Sequence, residues 1–396
     1  MTRTRASPYS NGMVASAPLA FSGSPRAALT FTPLASPSRE VDFGVEVSPG
    51  DVGNLSDAEF AELERTVLAH QVVVVRGQGA LSPRAQFELT RRFDPSVQTY
   101  GHGHSKELMA KSVLTRDLVS IPEVPQVKLL GNGRVHGHEG LDTVDLLHPT
   151  HHGFHRDELS IDDEERDLTR FYRWHIDAAL YAYHPPKVTT LLALEVPENR
   201  PQTVVYGDGS GDTLEVSLGT TAFVSGYTAF ERLSPEWRAF AESARARYAP
   251  HPYIWMKRAR SRSNGIGLWS EGRELGRDEL PEVEASKQMT LPLLWANPLS
   301  GKRALMLHAY CIEDLLVDER PIGDLQEVRR ILYELMRPAI APARVYAHPW
   351  RAGDLVLFNN RGVWHTVVGS LRPSDVRVYH QCNLASSEAP LTAALG

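Results

Sequence analysis

Cysteine is nearly absent: Cys311 and Cys382 are the only two in 396 residues. Two thiols cannot frame a disulfide scaffold, which fits a reducing compartment and a cytoplasmic protein. No apolar run approaches the roughly 20 residues of a membrane helix, so no membrane partner is expected. There is no long basic run and the net charge is -6, which argues against a nucleic-acid partner. With 42% hydrophobic and 23% charged residues, the chain is globular and long enough to bury a sizeable core, as one large barrel or sandwich. The sequence carries no signal of oligomeric state.

Acidic residues are missing from the first 39 positions, which are rich in Ser, Pro and Ala and carry Arg3, Arg5, Arg26 and Arg39. The bias has something of a transit segment, but prolines at 8, 18, 25 and 33 break any long amphipathic helix. Residues 1–40 are therefore expected to be a disordered tail, and 41–396 a single domain.

From residue 41 the pattern becomes regular. Ser56-Asp-Ala-Glu59 reads as a capping box opening a helix to His70, followed by the strand Gln71–Arg76, and Ser82-Pro83 caps a second helix through Phe93. A His- and Gly-rich stretch, 99 to 160, includes His-x-His pairs at 102/104 and 136/138, which read as structural or loop-lining. Short apolar strands follow around 186–195, 202–206, 214–216, 220–224, 288–295, 303–308, 353–358 and 362–368, with helices over 234–247 and 325–336. Gly207–Asp212 lacks a following helix and reads as a hairpin turn rather than a phosphate cradle. Many short strands with helices outside them predict a mainly β fold with flanking helices, a double-stranded β-helix or jelly-roll barrel.

The chemistry concentrates at His175-Ile-Asp177 and at His365. Two histidines and one carboxylate on three corners of an octahedron leave three adjacent positions open on non-haem Fe(II). A His-x-Asp triplet alone is weak, since this chain has a second at His155-Arg-Asp157. Context separates them: His155 lies in a polar segment, His175 in the aromatic run Phe171–Leu180. Strand alternation places Arg173, His175 and Asp177 on one face. The same alternation near the C-terminus puts Arg377, Tyr379, Gln381 and Asn383 together. Such a polar row is costly unless a polar ligand binds there, and Arg377 offers a planar fork for a carboxylate.

Asp354-Leu-Val-Leu-Phe-Asn-Asn-Arg-Gly-Val-Trp-His365 followed by Arg377 resembles the C-terminal signature of the taurine-dioxygenase-like family of Fe(II)/2-oxoglutarate dioxygenases. Within it, Phe171–Tyr181, His184–Thr190, Gly219–Tyr227, Pro250–Met256 and Gln381–Ala385 resemble the fungal xanthine dioxygenases, a likeness running from about 41 to 388. The resemblance implies that His175, Asp177 and His365 bind Fe(II) and that Arg377 meets the distal carboxylate of 2-oxoglutarate, with O2 as third reactant. It implies Gln381 and Asn383, and less directly Gln126, as contacts to a small-molecule substrate, xanthine. The resemblance also implies Thr203 as a 2-oxoglutarate contact, placed by its distance beyond the metal segment. Amides present both donors and acceptors, which suits the carbonyl and N–H edges of a purine.

Three other readings stand beside this one. The same chemistry could act on a sulfonate, a carboxylic acid or another heterocycle. A non-catalytic binding barrel would be expected to have lost one of His175, Asp177, His365 or Arg377. A zinc hydrolase would turn over without O2 or 2-oxoglutarate.

Overall fold

The computed structural model describes residues 30–392, apart from short breaks at 36–37, 39, 49–50, 98, 103–105, 115–117, 199 and 270–271. Most of the expected tail, residues 1–29, and His104 lie outside the described residues. The boundary at 41 is too late: Thr30–Pro33 (β1) pairs antiparallel with Val45–Ser48 (β2), Phe31 opposite Val47.

The capping box is realised. The Ser56 hydroxyl accepts from the Glu59 N–H at 3.3 Å, and the Glu59 carboxylate accepts from the Ser56 N–H at 2.8 Å. Helix Asp57–His70 turns Phe60, Leu63 and Val67 onto Val73 and Val75 of strand Val72–Val75 (β3). Each such side chain contributes about 1.5–3 kcal/mol by leaving water. Helix Pro83–Arg92 packs against the next part of the same sheet through Phe87 and Leu89.

Two large sheets follow. The remaining strands are Val119–Ile121 (β4), Val124–His138 (β5), Leu141–Leu146 (β6), Leu168–Phe171 (β7), Val188–Glu195 (β8), Pro201–Val205 (β9), Thr213–Ser217 (β10) and Thr221–Ser225 (β11). Tyr346–His348 (β12), Leu355–Asn359 (β13), Val363–Gly369 (β14) and Arg377–Asn383 (β15) complete them. The nine-stranded sheet runs β1-β2-β3-β13-β8-β15-β5-β4, with β6 pairing β5. The six-stranded sheet runs β10-β9-β7-β14-β11-β12. The chain passes from one sheet to the other six times, at β6–β7, β7–β8, β8–β9, β12–β13, β13–β14 and β14–β15, the crossings of a jelly roll. The fold class is thus the one expected, and Gly207–Asp212 is the turn joining β9 to β10.

One local expectation fails for an identifiable reason. The helix expected over 234–247 stops at Ser243, and Ala244–Tyr248 is a strand paired with Ile312–Val317. Its Ala-Arg-Ala-Arg-Tyr alternates buried and half-buried positions, a period-two pattern that overrides helix propensity. Within the His-rich stretch β5 and β6 form a hairpin. His136 and His138 lie on β5.

Candidate active site

β7 ends at Phe171, so the metal triplet is not in a continuous strand. His175 instead makes an isolated antiparallel bridge to His365 on β14, and the two rings lie 4.2 Å apart. Trp174 and Ile176 are buried in the main core while Arg173, His175 and Asp177 line a cavity between the sheets, so the expected division of faces survives. His175 Nε2 lies 3.9 Å from Asp177 Oδ1, and His365 Nε2 lies 3.8 Å from Asp177 Oδ2. The three donor atoms fall within 4.8 Å of one another, a cluster of the size one ion spans.

Two of the three donor residues, His175 and Asp177, are fixed from behind. The His175 Nδ1–H donates to the Arg173 carbonyl at 2.8 Å, which leaves the Nε2 lone pair directed inward. Thr189 on β8 donates its hydroxyl to Asp177 Oδ2 at 2.8 Å. The Asn360 amide holds the Asp177 backbone from both sides: its Oδ1 accepts from the Asp177 N–H at 2.8 Å and its Nδ2 donates to the Asp177 carbonyl at 2.7 Å. Burial pushes His175 well below the ordinary imidazole range, helped by the neighbouring His365 and Arg173 charges, and burial lowers His365 too. Burial opposes ionisation of Asp177, but His365, His102 and His175 outweigh it and hold the carboxyl low. Two neutral imidazoles and one carboxylate is the protonation state a divalent metal requires.

At the other end of the cavity Arg377 is fully buried, its guanidinium 3.8 Å from the Tyr379 ring centroid. Its Nε–H donates to the Gly219 carbonyl at 3.2 Å, while Nη1 and Nη2 find no acceptor among the described residues. Only Tyr379 offsets the desolvation of this cation, and the net effect lowers its pKa. A buried, half-satisfied guanidinium is expensive by itself, and a carboxylate bound there would complete it. The donor set therefore fits both Fe(II) and a dicarboxylate. β15 reaches this position where Arg377 meets Asn132 in β5, beside Gly131, whose φ of +147° and closeness to the Arg377 carbonyl leave no room for a side chain.

The other sequence candidates divide. Gln381 lines the cavity, with Nε2 3.3 Å from Asp177 Oδ2 and Oε1 3.5 Å from the Tyr100 hydroxyl. Asn383 is buried just outside it, where its Oδ1 accepts from the Gly101 N–H at 3.1 Å. Gln126 is half-buried at the start of β5 and does not line the cavity. Nor does Thr203: it is on β9, which β7 separates from the metal-bearing β14. The threonine beside Arg377 is Thr221, on β11 directly next to β14. The distance count from the metal segment leads to a strand that does not line the cavity, because sequence spacing does not record which strands are neighbours.

Sequence reasoning missed His102, Thr189, Asn360 and Thr221. His102 Nε2 sits 3.8 Å from Asp177 Oδ1, although its His-x-His context read as loop-lining. Asn360 stands inside the Asp354–His365 block, so its signal was present but unassigned. The inner cavity, about 90 Å³, shares His102, Leu114 and Tyr253 with an outer chamber of about 330 Å³ that also includes Tyr181, Ile254 and Lys287. Together they form a route from solvent to the metal cluster.

The match to a known family agrees with this geometry. Residues 30–382 match the Taurine catabolism dioxygenase TauD, TfdA family, and the chain belongs to that family. It is a 2-oxoglutarate-dependent dioxygenase, with Fe(II) as the metal cofactor and O2 as the other co-substrate. It is 52% identical over 368 residues to an alpha-ketoglutarate-dependent xanthine dioxygenase of Neurospora crassa, covering 91% of this chain and 87% of that one. A protein of Emericella nidulans with the same description is 51% identical, with 91% and 98% covered. The relative in Schizosaccharomyces pombe, also described as an alpha-ketoglutarate-dependent xanthine dioxygenase, is 47% identical, with 90% and 88% covered. Among solved structures, AAD-2 in complex with Mn(II) and N-oxalylglycine superposes with a TM-score of 0.56 at 18% identity, covering 92% of this chain and 100% of that one, a likeness of fold.

Proposed function

We propose that the chain hydroxylates xanthine at C8 to give uric acid, coupled to conversion of 2-oxoglutarate to succinate and CO2. The observation that carries the reading is the identity of about half of all residues to three fungal proteins described as xanthine dioxygenases, over nine-tenths of this chain. In this reading His175, Asp177 and His365 hold Fe(II). Arg377 takes the distal carboxylate of 2-oxoglutarate, with Thr221 rather than Thr203 beside it. When bound, Fe(II) and 2-oxoglutarate supply with O2 the oxidant that inserts one oxygen atom at C8 while the keto acid loses CO2.

The chain's own residues bind, orient and exclude water. Gln381 presents an amide beside the metal carboxylate, where its donor and acceptor can meet the carbonyl and N–H edge of a purine and hold C8 toward the reacting centre. Asn383 acts one step removed, by fixing Gly101 and with it His102 over the cavity. Gln126 has no direct role in this geometry. Buried Tyr100 and Leu191 and half-buried Val367 around the cavity limit the access of bulk water to the reaction.

The test is purified protein supplied with Fe(II), 2-oxoglutarate, O2 and xanthine, each omitted in turn. Equimolar succinate and urate, dependent on all four, is the expected result. Succinate without urate would remove xanthine as substrate and keep the dioxygenase. Neither product from folded, iron-loaded protein would overturn the assignment.

A further inference from the structure

A second set of metal-type donors lies outside the candidate iron site. The loop after β6 carries His151 and His152, and helix Ile161–Glu165 carries Glu164. His151 Nε2 is 3.0 Å and His152 Nε2 2.8 Å from the same oxygen, Glu164 Oε1, and the three donor atoms lie within 4.8 Å of one another. We propose that His151, His152 and Glu164 form a second divalent-metal site, of a kind suited to Zn2+, that pins the 149–153 loop to helix Ile161–Glu165.

Four observations support a built site. His151 is fully buried and its Nδ1 meets no partner among the described residues, so what Nε2 faces sets the ring's orientation. His152 is held from the opposite side by Glu158, whose Oε2 lies 3.2 Å from His152 Nδ1 while its Oε1 accepts from the Gly153 N–H at 2.7 Å. A carboxylate on the far nitrogen is the arrangement that directs an imidazole's other lone pair at a metal. Ser370, just beyond β14, donates to the same Glu164 Oε1 at 3.2 Å, so a third element ends at this point. A tetrahedral zinc site with bonds of about 2.0–2.1 Å places ligand atoms roughly 3.3 Å apart, so binding needs the present 2.8–3.0 Å contacts to open by only a few tenths of an ångström. His152 is 41% exposed, which leaves a side open to a water ligand.

The competing arrangement is a doubly protonated His152 between Glu158 and Glu164. Burial disfavours that imidazolium, but the two carboxylates prevail and raise its pKa. A proton and a metal ion would then compete for one position, the metal gaining as pH rises. Occupancy matters beyond the loop itself. Pro149 lines the inner cavity, and the preceding His148 is buried near Arg377, whose charge, after burial, helps lower it.

The experiment isolates this site by removing the other. Full-length H175A/D177A protein is stripped with chelator, loaded with Zn2+, passed through gel filtration and assayed for bound metal by mass spectrometry. One equivalent is expected, falling to none when either E164Q or H152A is added. H152A alters an exposed ring, so it keeps the test valid if E164Q fails to fold. No zinc in the H175A/D177A protein, or one equivalent retained after both further substitutions, would overturn the proposal. A Zn2+-induced rise in Tm in that protein, lost in H152A, is the second expected readout.

Discussion

His175 and His365 close on each other through their backbones: each N–H donates to the other's carbonyl, at 2.9 and 3.0 Å. Residues nearly two hundred positions apart are thereby locked in register without any ion. Phe223 on β11 lies opposite His365 in the ladder and stacks on its ring at 6.0 Å, so the second histidine is also held by packing.

The two His-x-Asp triplets are expected to respond differently. Asp177→Ala should abolish xanthine turnover and iron retention, whereas Asp157→Ala, at an exposed residue whose carboxylate accepts a long 3.4 Å bond from the Ser263 hydroxyl, should leave both near wild type. Turnover and iron content of the purified variants decide it; equal losses would remove the distinction.

Arg377→Met separates binding from stability. Loss of a charge-assisted pair costs about 3 kcal/mol, or roughly 100-fold in the KM for 2-oxoglutarate. The same change removes a buried cation whose Nη atoms have no acceptor among the described residues, so the Tm of the ligand-free protein should stay level or rise. Titration of 2-oxoglutarate and a melting curve without it give the two numbers. A lowered ligand-free Tm would mean Arg377 is structural.

Gln381→Ala should raise the KM for xanthine or lower kcat by about tenfold or more, the effect of losing one hydrogen-bonded amide. The affinity for 2-oxoglutarate should change little, because Arg377 is untouched. An unchanged xanthine rate would remove Gln381 from the substrate's surroundings.

Thr221→Val should weaken 2-oxoglutarate saturation by several-fold, while Thr203→Val should not. Paired KM measurements on the two variants test whether sheet adjacency or sequence distance identifies the cosubstrate threonine.

Acid should destabilise the protein before its carboxylates titrate. Burial, helped by His151 in one case and His138 in the other, pushes His155 and His380 down to about 3. The unfolded chain protonates these histidines near their ordinary value, so it binds more protons than the native state between about 6.5 and 3. Stability is therefore full above about 6.5 and is lost as pH falls through that window, by up to about 1.4 kcal/mol per unit for each histidine. Urea midpoints at pH 7, 6 and 5 should fall in order; a flat series would contradict it.

Much of this was legible in the residues. The metal triad and Arg377 stand in distinctive local contexts, and strand alternation placed Arg377 and Gln381 toward the same cavity. What escaped was whatever depends on lateral order in the sheets. Thr203 and Thr221 are both threonines on short strands, and only the pairing β7-β14-β11 tells them apart. Asn383 shares a face with Gln381, yet Gly101 takes up its carbonyl, a contact from a segment nearly three hundred residues away.

The Asn360 clamp on the Asp177 backbone, with the bridge between the two histidines, has a thermodynamic consequence. All three ligands are tied down by bonds between protein atoms, so capture of the ion requires almost no ordering of the chain. The protein should behave unlike a zinc finger, which collapses when its metal is withdrawn. Iron should be removable and replaceable in repeated cycles with the fold intact, and other divalent ions should enter the same preformed seat, leaving metal supply rather than refolding to govern recovery of activity.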